Sequence, residues 1–149
     1  MASCCAAGAA SVGSDPASVE NMRLFGENVG IAFQIKDDLF DYESSNITGK
    51  PNGIDIKEQK MTLPLIYLLN NSGFNEKRKI VNIVKNHNNN PEKVASVIKK
   101  VNQSGGIEYA KQKMETYHDK ALRILNDFPD SESKTALNQL VDFTITRKK

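Results

Sequence analysis

The amino-acid sequence predicts an all-α protein, and three observations support this prediction. Apolar residues recur at the three- and four-residue spacing of an amphipathic helix along most of the chain. Proline and glycine stand where this periodicity starts or stops. No run of any length alternates apolar and polar residues as a half-buried strand would. A helical bundle is therefore expected, and its 149 residues correspond to about one domain.

Two helices are predicted in the first part of the chain. Residues 1–12 (MASCCAAGAASV) are almost all small, which suits a helix packed closely against its neighbours. Asp15 and Pro16 are then residue types of an N-cap and of a first helical position. A long helix is expected from Pro16 to about Tyr42. Its apolar positions keep helical spacing, at Val19, Met22, Phe25, Val29, Phe33 and Phe40.

The rest of the chain is predicted to consist of shorter helices after a loop. Residues 44–53 (SSNITGKPNG) have the composition of a loop. A short apolar helix is expected from Lys60 to Leu69, with Pro64 in its first turn. The later helices are expected at about residues 75–86, from Pro91 to the glycines at 105–106, from about Ile107 to Asn126, and after Pro129.

The composition argues against several classes of function. The net charge is +2, from 20 basic and 18 acidic residues, so no nucleic-acid partner is expected. No apolar run reaches the roughly 18 residues of a transmembrane helix. Cys4 and Cys5 are adjacent, which disfavours a disulfide between them, and they lack the spacing of metal ligands. They are expected to be small buried residues of a reduced, cytoplasmic protein.

The stretch FQIKDDLFD, residues 33–41, carries the strongest functional signal. At about 100° per residue, a helix places Asp37, Asp38 and Asp41 in one narrow sector, with Gln34 beside them. Three such acids repel one another, and a divalent cation relieves the repulsion. Their oxygen ligands suit Mg²⁺, which commonly shares its coordination with phosphate. An isolated motif of this kind is nevertheless more often a solvated acidic face.

The residues downstream favour the metal site over the solvated face. Lys50, Asp55 and Lys60 follow in the segments GK, GID and KMTLP. Carboxylates bind a metal and ammonium groups bind phosphate oxygens, so the sequence predicts a site for a metal-bridged diphosphate. Asp55 either caps the helix after the loop or contacts the lysines, and both interpretations stay open.

Together these segments resemble the second aspartate-rich region of the trans-polyprenyl diphosphate synthases. This family includes farnesyl, geranylgeranyl and octaprenyl diphosphate synthases, and the resemblance extends over essentially the whole chain. It implies a helical bundle of the isoprenoid synthase fold that joins isopentenyl diphosphate to an allylic diphosphate. Mg²⁺, or Mn²⁺ in its place, would draw off the allylic diphosphate, and the isopentenyl double bond would attack the resulting cation before a proton is lost.

The resemblance also implies roles for individual residues. Asp37 is expected to hold the metal directly, and Asp38 and Asp41 to hold it directly or through water. Lys50 and Lys60 are expected to bind the allylic diphosphate. Two further residues belong to the expected site. Gln34 would line the reaction centre, and Phe33 would lie on the hydrocarbon side of the substrate. The residues expected to be catalytic are Asp37, Asp38, Lys50 and Gln34.

The chain also departs from the family pattern. The first aspartate-rich motif and its arginines are absent, so residues 1–149 are expected to be the C-terminal portion of one synthase domain, inactive alone. A homodimer is expected, because the family's counterpart of the first helix lies near a dimer interface. The basic residues 147–149 are either a solvated terminus or a cover over the site.

Two other classes of function stay open. One is a terpene cyclase of the same fold, although such enzymes usually have an Asn/Ser/Glu-type second metal motif. The other is a non-catalytic helical partner subunit, which retention of the three acids and both lysines disfavours. His87 and His118 are expected to be ordinary surface or partly buried residues, because no second ligand stands three or four residues away.

Overall fold

The computed structural model of the chain describes residues 1–42 and 53–147, and these residues form eight α-helices. The helices are α1 (Ala2–Ser11), α2 (Pro16–Phe40), α3 (Ile54–Lys57), α4 (Leu63–Asn70), α5 (Phe74–Asn86), α6 (Pro91–Gln103), α7 (Gly106–Asn126) and α8 (Glu132–Thr146). None of the described residues lies in a strand, so the all-α prediction is confirmed. Within the same residues, no helix combines the length and the apolar character that crossing a membrane requires.

The start of α2 is fixed by the capping turn that the sequence predicts. Oδ1 of Asp15 accepts hydrogen bonds from the backbone N–H groups of Ala17 and Ser18 at 2.9 and 3.1 Å. The Ser18 hydroxyl donates to Oδ2 of Asp15 at 2.6 Å, and these bonds lower the pKa of that carboxyl. Pro16 is the first helical residue. An N–H at this position has no acceptor within the helix, so proline can stand here without the loss of a hydrogen bond.

The region before α4 differs from the prediction in two ways. The helix expected from Lys60 begins at Leu63, because Thr62 has an extended backbone with φ −72° and ψ 156°. The four-residue α3 is also present, although the sequence analysis does not predict it. It follows Gly53, whose φ is 80° and where an added Cβ would lie 2.6 Å from Cγ1 of Val94. Both the conformation and the space therefore require glycine.

The chain folds as two compact units, which are described separately. One unit contains residues 1–36 and the C-terminal part of the chain from Lys113, and the other contains residues 37–112. The first unit has a buried cluster to which α2, α7 and α8 contribute, formed by Phe25, Val29, Ala121, Leu125 and Val141. Cys4 and Cys5 are free thiols of this unit. Cys4 is exposed and Cys5 is half-buried, so the expected burial is wrong for Cys4.

In the second unit, α4, α5 and α6 pack on one another around an apolar core. Its fully buried side chains include Ile56, Leu65, Val97 and Val101. The glycine pair after α6 closes this packing, since Gly105 has φ 80° and an added Cβ on Gly106 would lie 2.7 Å from the carbonyl oxygen of Pro64. The same buried cluster includes Tyr42, which directly follows the acidic motif.

Candidate functional site

The acidic motif lies at the C-terminal end of α2, where Asp41 is the most deeply buried of its three acids. Asp41 is 5% exposed, and its two carboxylate oxygens accept hydrogen bonds from the backbone of the next helix. Oδ1 accepts from the N–H of Ile54 at 2.9 Å, and Oδ2 accepts from the N–H of Asp55 at 3.2 Å. Asp41 therefore supplies the N-terminal cap of α3, which Gly53 lacks a side chain to provide.

Asp38 has an equivalent role at the start of α4. Its Oδ2 accepts a hydrogen bond from the N–H of Leu63, the first residue of that helix, at 3.3 Å. Thr62 occupies the N-cap position, yet its side chain makes no capping bond with any described residue. Two of the three acids thus hold the starts of two helices, a division of roles that the spacing of the motif does not reveal.

The Thr62 hydroxyl instead forms a buried hydrogen bond with the hydroxyl of Tyr42. Burial raises the pKa of the Tyr42 hydroxyl and is the largest influence on that pKa. The hydrogen bond to Thr62 opposes this shift. The carboxylates of Asp41, Asp55 and Asp38 raise that pKa further. No pattern in the sequence predicts this pair; the nearest signal is that Tyr42 directly follows the acidic motif and that Thr62 lies within KMTLP.

Lys60 and Asp55 form an ion pair on the surface next to these residues. Nζ of Lys60 lies 3.3 Å from Oδ1 of Asp55 and 2.6 Å from Oε2 of Glu58. The bond to Glu58, followed by that to Asp55, raises the pKa of Lys60. Of the two interpretations of Asp55, the cap is wrong, because Asp41 caps α3, whereas the contact with a lysine is observed.

The other predicted site residues lie elsewhere. Lys50 is outside the described residues. Gln34 and Phe33 belong to the first unit, where Gln34 is exposed and Phe33 is half-buried. The guanidinium of Arg147 lies 4.0 Å from the centre of the Phe33 ring, and its Nη2 donates to the Phe33 carbonyl oxygen at 3.4 Å. Arg147 is therefore folded against α2, and residues 148 and 149 are outside the described part.

His118 has more partners than the sequence suggests. Its Nε2 lies 2.9 Å from Oδ1 of Asp142 on α8, and its Nδ1 lies 3.2 Å from Oδ1 of Asp119. These contacts join α7 to α8 within the first unit, through a residue 24 positions away in the chain. Spacing within one helix could not have revealed that contact.

The donor set at the end of α2 fits a metal that substrate helps to hold. Among the described residues, no group of three or more His, Cys, Asp or Glu side chains is arranged to hold a metal ion by itself. Mg²⁺ is usually held by one or two carboxylates together with waters and phosphate oxygens. Asp37, Asp38 and Asp41 offer hard oxygen ligands of this kind, with two of the three already fixed by backbone N–H groups.

Comparison with known proteins gives consistent matches over most of the chain. The sequence profile of the polyprenyl synthetase family matches residues 1–101. Geranylfarnesyl diphosphate synthase from Aeropyrum pernix is 35% identical over 147 residues, which cover 95% of this chain and 44% of that protein.

Solved structures give the same result. The geranylgeranyl pyrophosphate synthase from Bacteroides thetaiotaomicron is 40% identical with a TM-score of 0.88, and the match covers 98% of this chain and 48% of that one. A polyprenyl synthase from Caulobacter crescentus, complexed with calcium and isoprenyl diphosphate, is 32% identical with a TM-score of 0.82, and the match covers 99% of this chain and 45% of that one. The chain therefore spans less than half the length of each of these proteins.

Proposed function

Because this chain belongs to the polyprenyl synthetase family, we propose that it forms part of a prenyltransferase. The enzyme would condense isopentenyl diphosphate with an allylic diphosphate to make a trans-polyprenyl diphosphate. The observation that carries the proposal is the end of α2, where Asp41 and Asp38 accept N–H groups from the starts of α3 and α4, and where Asp55 of α3 pairs with Lys60 of the KMTLP segment. We further propose that the chain is the C-terminal portion of one synthase domain.

The metal proposed for this site is Mg²⁺, with Mn²⁺ as a substitute. When bound, it would stabilise the negative charge that develops on the departing diphosphate. Asp37 is proposed as the direct ligand, and Asp38 and Asp41 as direct or water-mediated partners. The Caulobacter crescentus relative is complexed with calcium and isoprenyl diphosphate, which supports a divalent cation and a diphosphate as ligands of this site.

Lys60 is proposed to bind the allylic diphosphate. Its side chain is 59% exposed and pairs with the exposed Glu58 and the half-buried Asp55, so a more highly charged diphosphate can compete for the ammonium group. Lys50 is proposed for the same role on the sequence pattern alone. Gln34 is proposed at the reaction centre and Phe33 on the hydrocarbon side of the substrate, both on the sequence resemblance alone.

We also propose a homodimer, and a cytoplasmic location. The chain contains no described helix suited to span a membrane. A dimer that includes a second, different chain is the competing arrangement, and the mass of the purified complex would distinguish the two.

The proposal is tested by substitution of Asp37 in the whole protein that contains these residues. Transfer of labelled isopentenyl diphosphate to an allylic diphosphate would be measured in the presence of Mg²⁺. Asp37→Ala is expected to lower kcat by about 10²–10³, because it removes a ligand that stabilises the leaving group. Asp127→Ala, which removes an exposed carboxylate at the end of α7, is the control and should retain full activity. Turnover of Asp37→Ala close to that of the wild type would refute the proposal.

A further inference from the structure

The buried pair of Tyr42 and Thr62 has no role in the function proposed so far. The two residues are 5% and 3% exposed, and each hydroxyl has the other as its hydrogen-bond partner. Tyr42 directly follows the acidic motif, and Thr62 lies between Lys60 and Leu63. The pair therefore joins the end of the metal-site helix to the segment that carries a substrate-binding lysine.

This bond adds to other links between the end of α2 and residues 53–63. Asp41 holds the first residues of α3, and Asp38 holds Leu63 through a hydrogen bond of 3.3 Å, slightly longer than the usual range. Between these two attachments the chain runs through Glu58, Gln59, Lys60 and Met61, all of which are exposed. The position of Lys60 thus depends on how firmly both ends of this exposed segment are held.

The segment also contains a strained residue. Gln59 has φ 59°, in the left-handed region that a non-glycine residue adopts only where its surroundings impose it. Its side-chain amide donates to the carbonyl oxygen of Lys85 at 3.2 Å, which holds it from the side of α5. Such a conformation persists only where the surrounding structure holds it.

We propose that Tyr42 and Thr62 are positioning residues for the diphosphate site. Their hydrogen bond fixes the backbone at Thr62, so that Lys60 and Asp38 are held at the same side of the substrate. Neither hydroxyl contacts the substrate, since both are buried behind the segment. This inference rests on the proposed function of the acidic motif and extends it to two residues for which the motif gives no role.

The test separates positioning from stability by means of a double variant. Tyr42→Phe and Thr62→Val each leave one buried hydroxyl without its partner, so each single variant is expected to unfold at a lower temperature. The double variant removes both hydroxyls and is expected to recover most of the lost stability. Thr62→Ser keeps the hydroxyl and is expected to behave like the wild type.

The decisive measurement is the KM for the allylic diphosphate in the whole protein, together with the affinity for inorganic pyrophosphate and Mg²⁺ measured by calorimetry. In both single variants and in the double variant, the KM is expected to rise about five- to twentyfold, and the affinity for pyrophosphate to fall by a similar factor. None of the three variants retains the bond. A double variant with wild-type KM and affinity would overturn the inference, since the bond would then serve stability alone.

Two controls make the result specific. Thr144 is a buried threonine of the first unit whose hydroxyl donates to the carbonyl oxygen of Leu140 at 2.9 Å, so Thr144→Val should lower stability without changing KM. Asp37→Asn, assayed alongside, tests the proposed function itself. If Asp37→Asn is fully active, the proposed function fails. If it is inactive while the Tyr42→Phe/Thr62→Val variant binds normally, the positioning role alone fails.

Discussion

Asp37, Asp38 and Asp41 lie within five consecutive residues, yet their surroundings differ. Asp41 accepts two backbone N–H groups and Asp38 accepts one, at the starts of two helices. Such bonds stabilise an ionised carboxylate, because the N–H dipoles at a helix start point towards it. Asp38 and Asp41 therefore each help to fix the start of a helix. A substitution in the motif can lower activity through the fold or through the chemistry, and stability measurements tell these effects apart.

The first prediction concerns the structural role of Asp41. Asp41→Ala is expected to lower the free energy of unfolding by about 2–3 kcal/mol, since it leaves two N–H groups at a buried site without an acceptor. Asp41→Asn keeps one oxygen acceptor and should cost about half as much. Urea denaturation of the 149-residue chain would measure both changes. A loss below about 0.5 kcal/mol for Asp41→Ala, equal to that of Asp127→Ala, would contradict the capping role.

The second prediction concerns the pH dependence of stability. Burial raises the pKa of Tyr42 above its unfolded value of about 10. The folded state therefore disfavours the tyrosinate, and the contribution of Tyr42 to stability is complete below about pH 10 and falls as the pH rises above it. The unfolding free energy of the wild type should fall more steeply between about pH 9.5 and 11.5 than that of the Tyr42→Phe/Thr62→Val variant. Parallel pH profiles would show that Tyr42 ionises as easily when folded as when unfolded.

At the scale of elements, the helix starts with local capping signals were predictable, whereas the start of α4 and the short helix α3 were not. Asp15 and Pro16 mark the start of α2, and Asn90 and Pro91 mark the start of α6. Oδ1 of Asn90 accepts a hydrogen bond from the N–H of Lys93 at 3.0 Å. The start of α4 and the whole of α3 were missed, because Asp38 and Asp41 of α2 supply their capping groups. The acidic motif is visible in the sequence, whereas the backbone partners of Asp38 and Asp41 are distant in the chain and leave no local pattern.

The third prediction concerns the entry into α3. Gly53→Ala is expected to lower the free energy of unfolding by about 2–4 kcal/mol, because alanine resists the φ of 80° and its Cβ would lie 2.6 Å from Cγ1 of Val94. Gly8→Ala is the matched control. A Cβ there would meet no described atom within 4 Å, and alanine in the interior of α1 should stabilise by about 0.5–1 kcal/mol. Equal effects of the two substitutions on the urea midpoint would show that the turn tolerates a side chain.

At the scale of the whole molecule, the fold class and the family resemblance inferred from the sequence are confirmed by the helices and by the family profile. The surface of the first unit could not have been predicted in the same way. Apolar spacing in α8 suggests a core helix, and Val141 is indeed buried. Leu140 and Phe143 have similar hydrophobicity but are 50% and 61% exposed, because periodicity identifies an apolar residue without identifying what covers it.

The last prediction follows from this exposed part of α8. Ala136, Leu140 and Phe143 are exposed at a spacing of four and three residues, so they share one stripe of the helix. Exposed apolar stripes favour association, so we predict that this stripe also contributes to the contact between two copies of the chain. Analytical ultracentrifugation of the chain is expected to show a dimer that Leu140→Lys/Phe143→Glu converts to a monomer. Phe74→Lys, at a residue 79% exposed in the second unit, is the control and should leave the dimer intact. A dimer with a Kd of about 1 μM would be nearly fully assembled at a chain concentration of about 100 μM. A wild-type chain that stays monomeric at that concentration would refute this assignment.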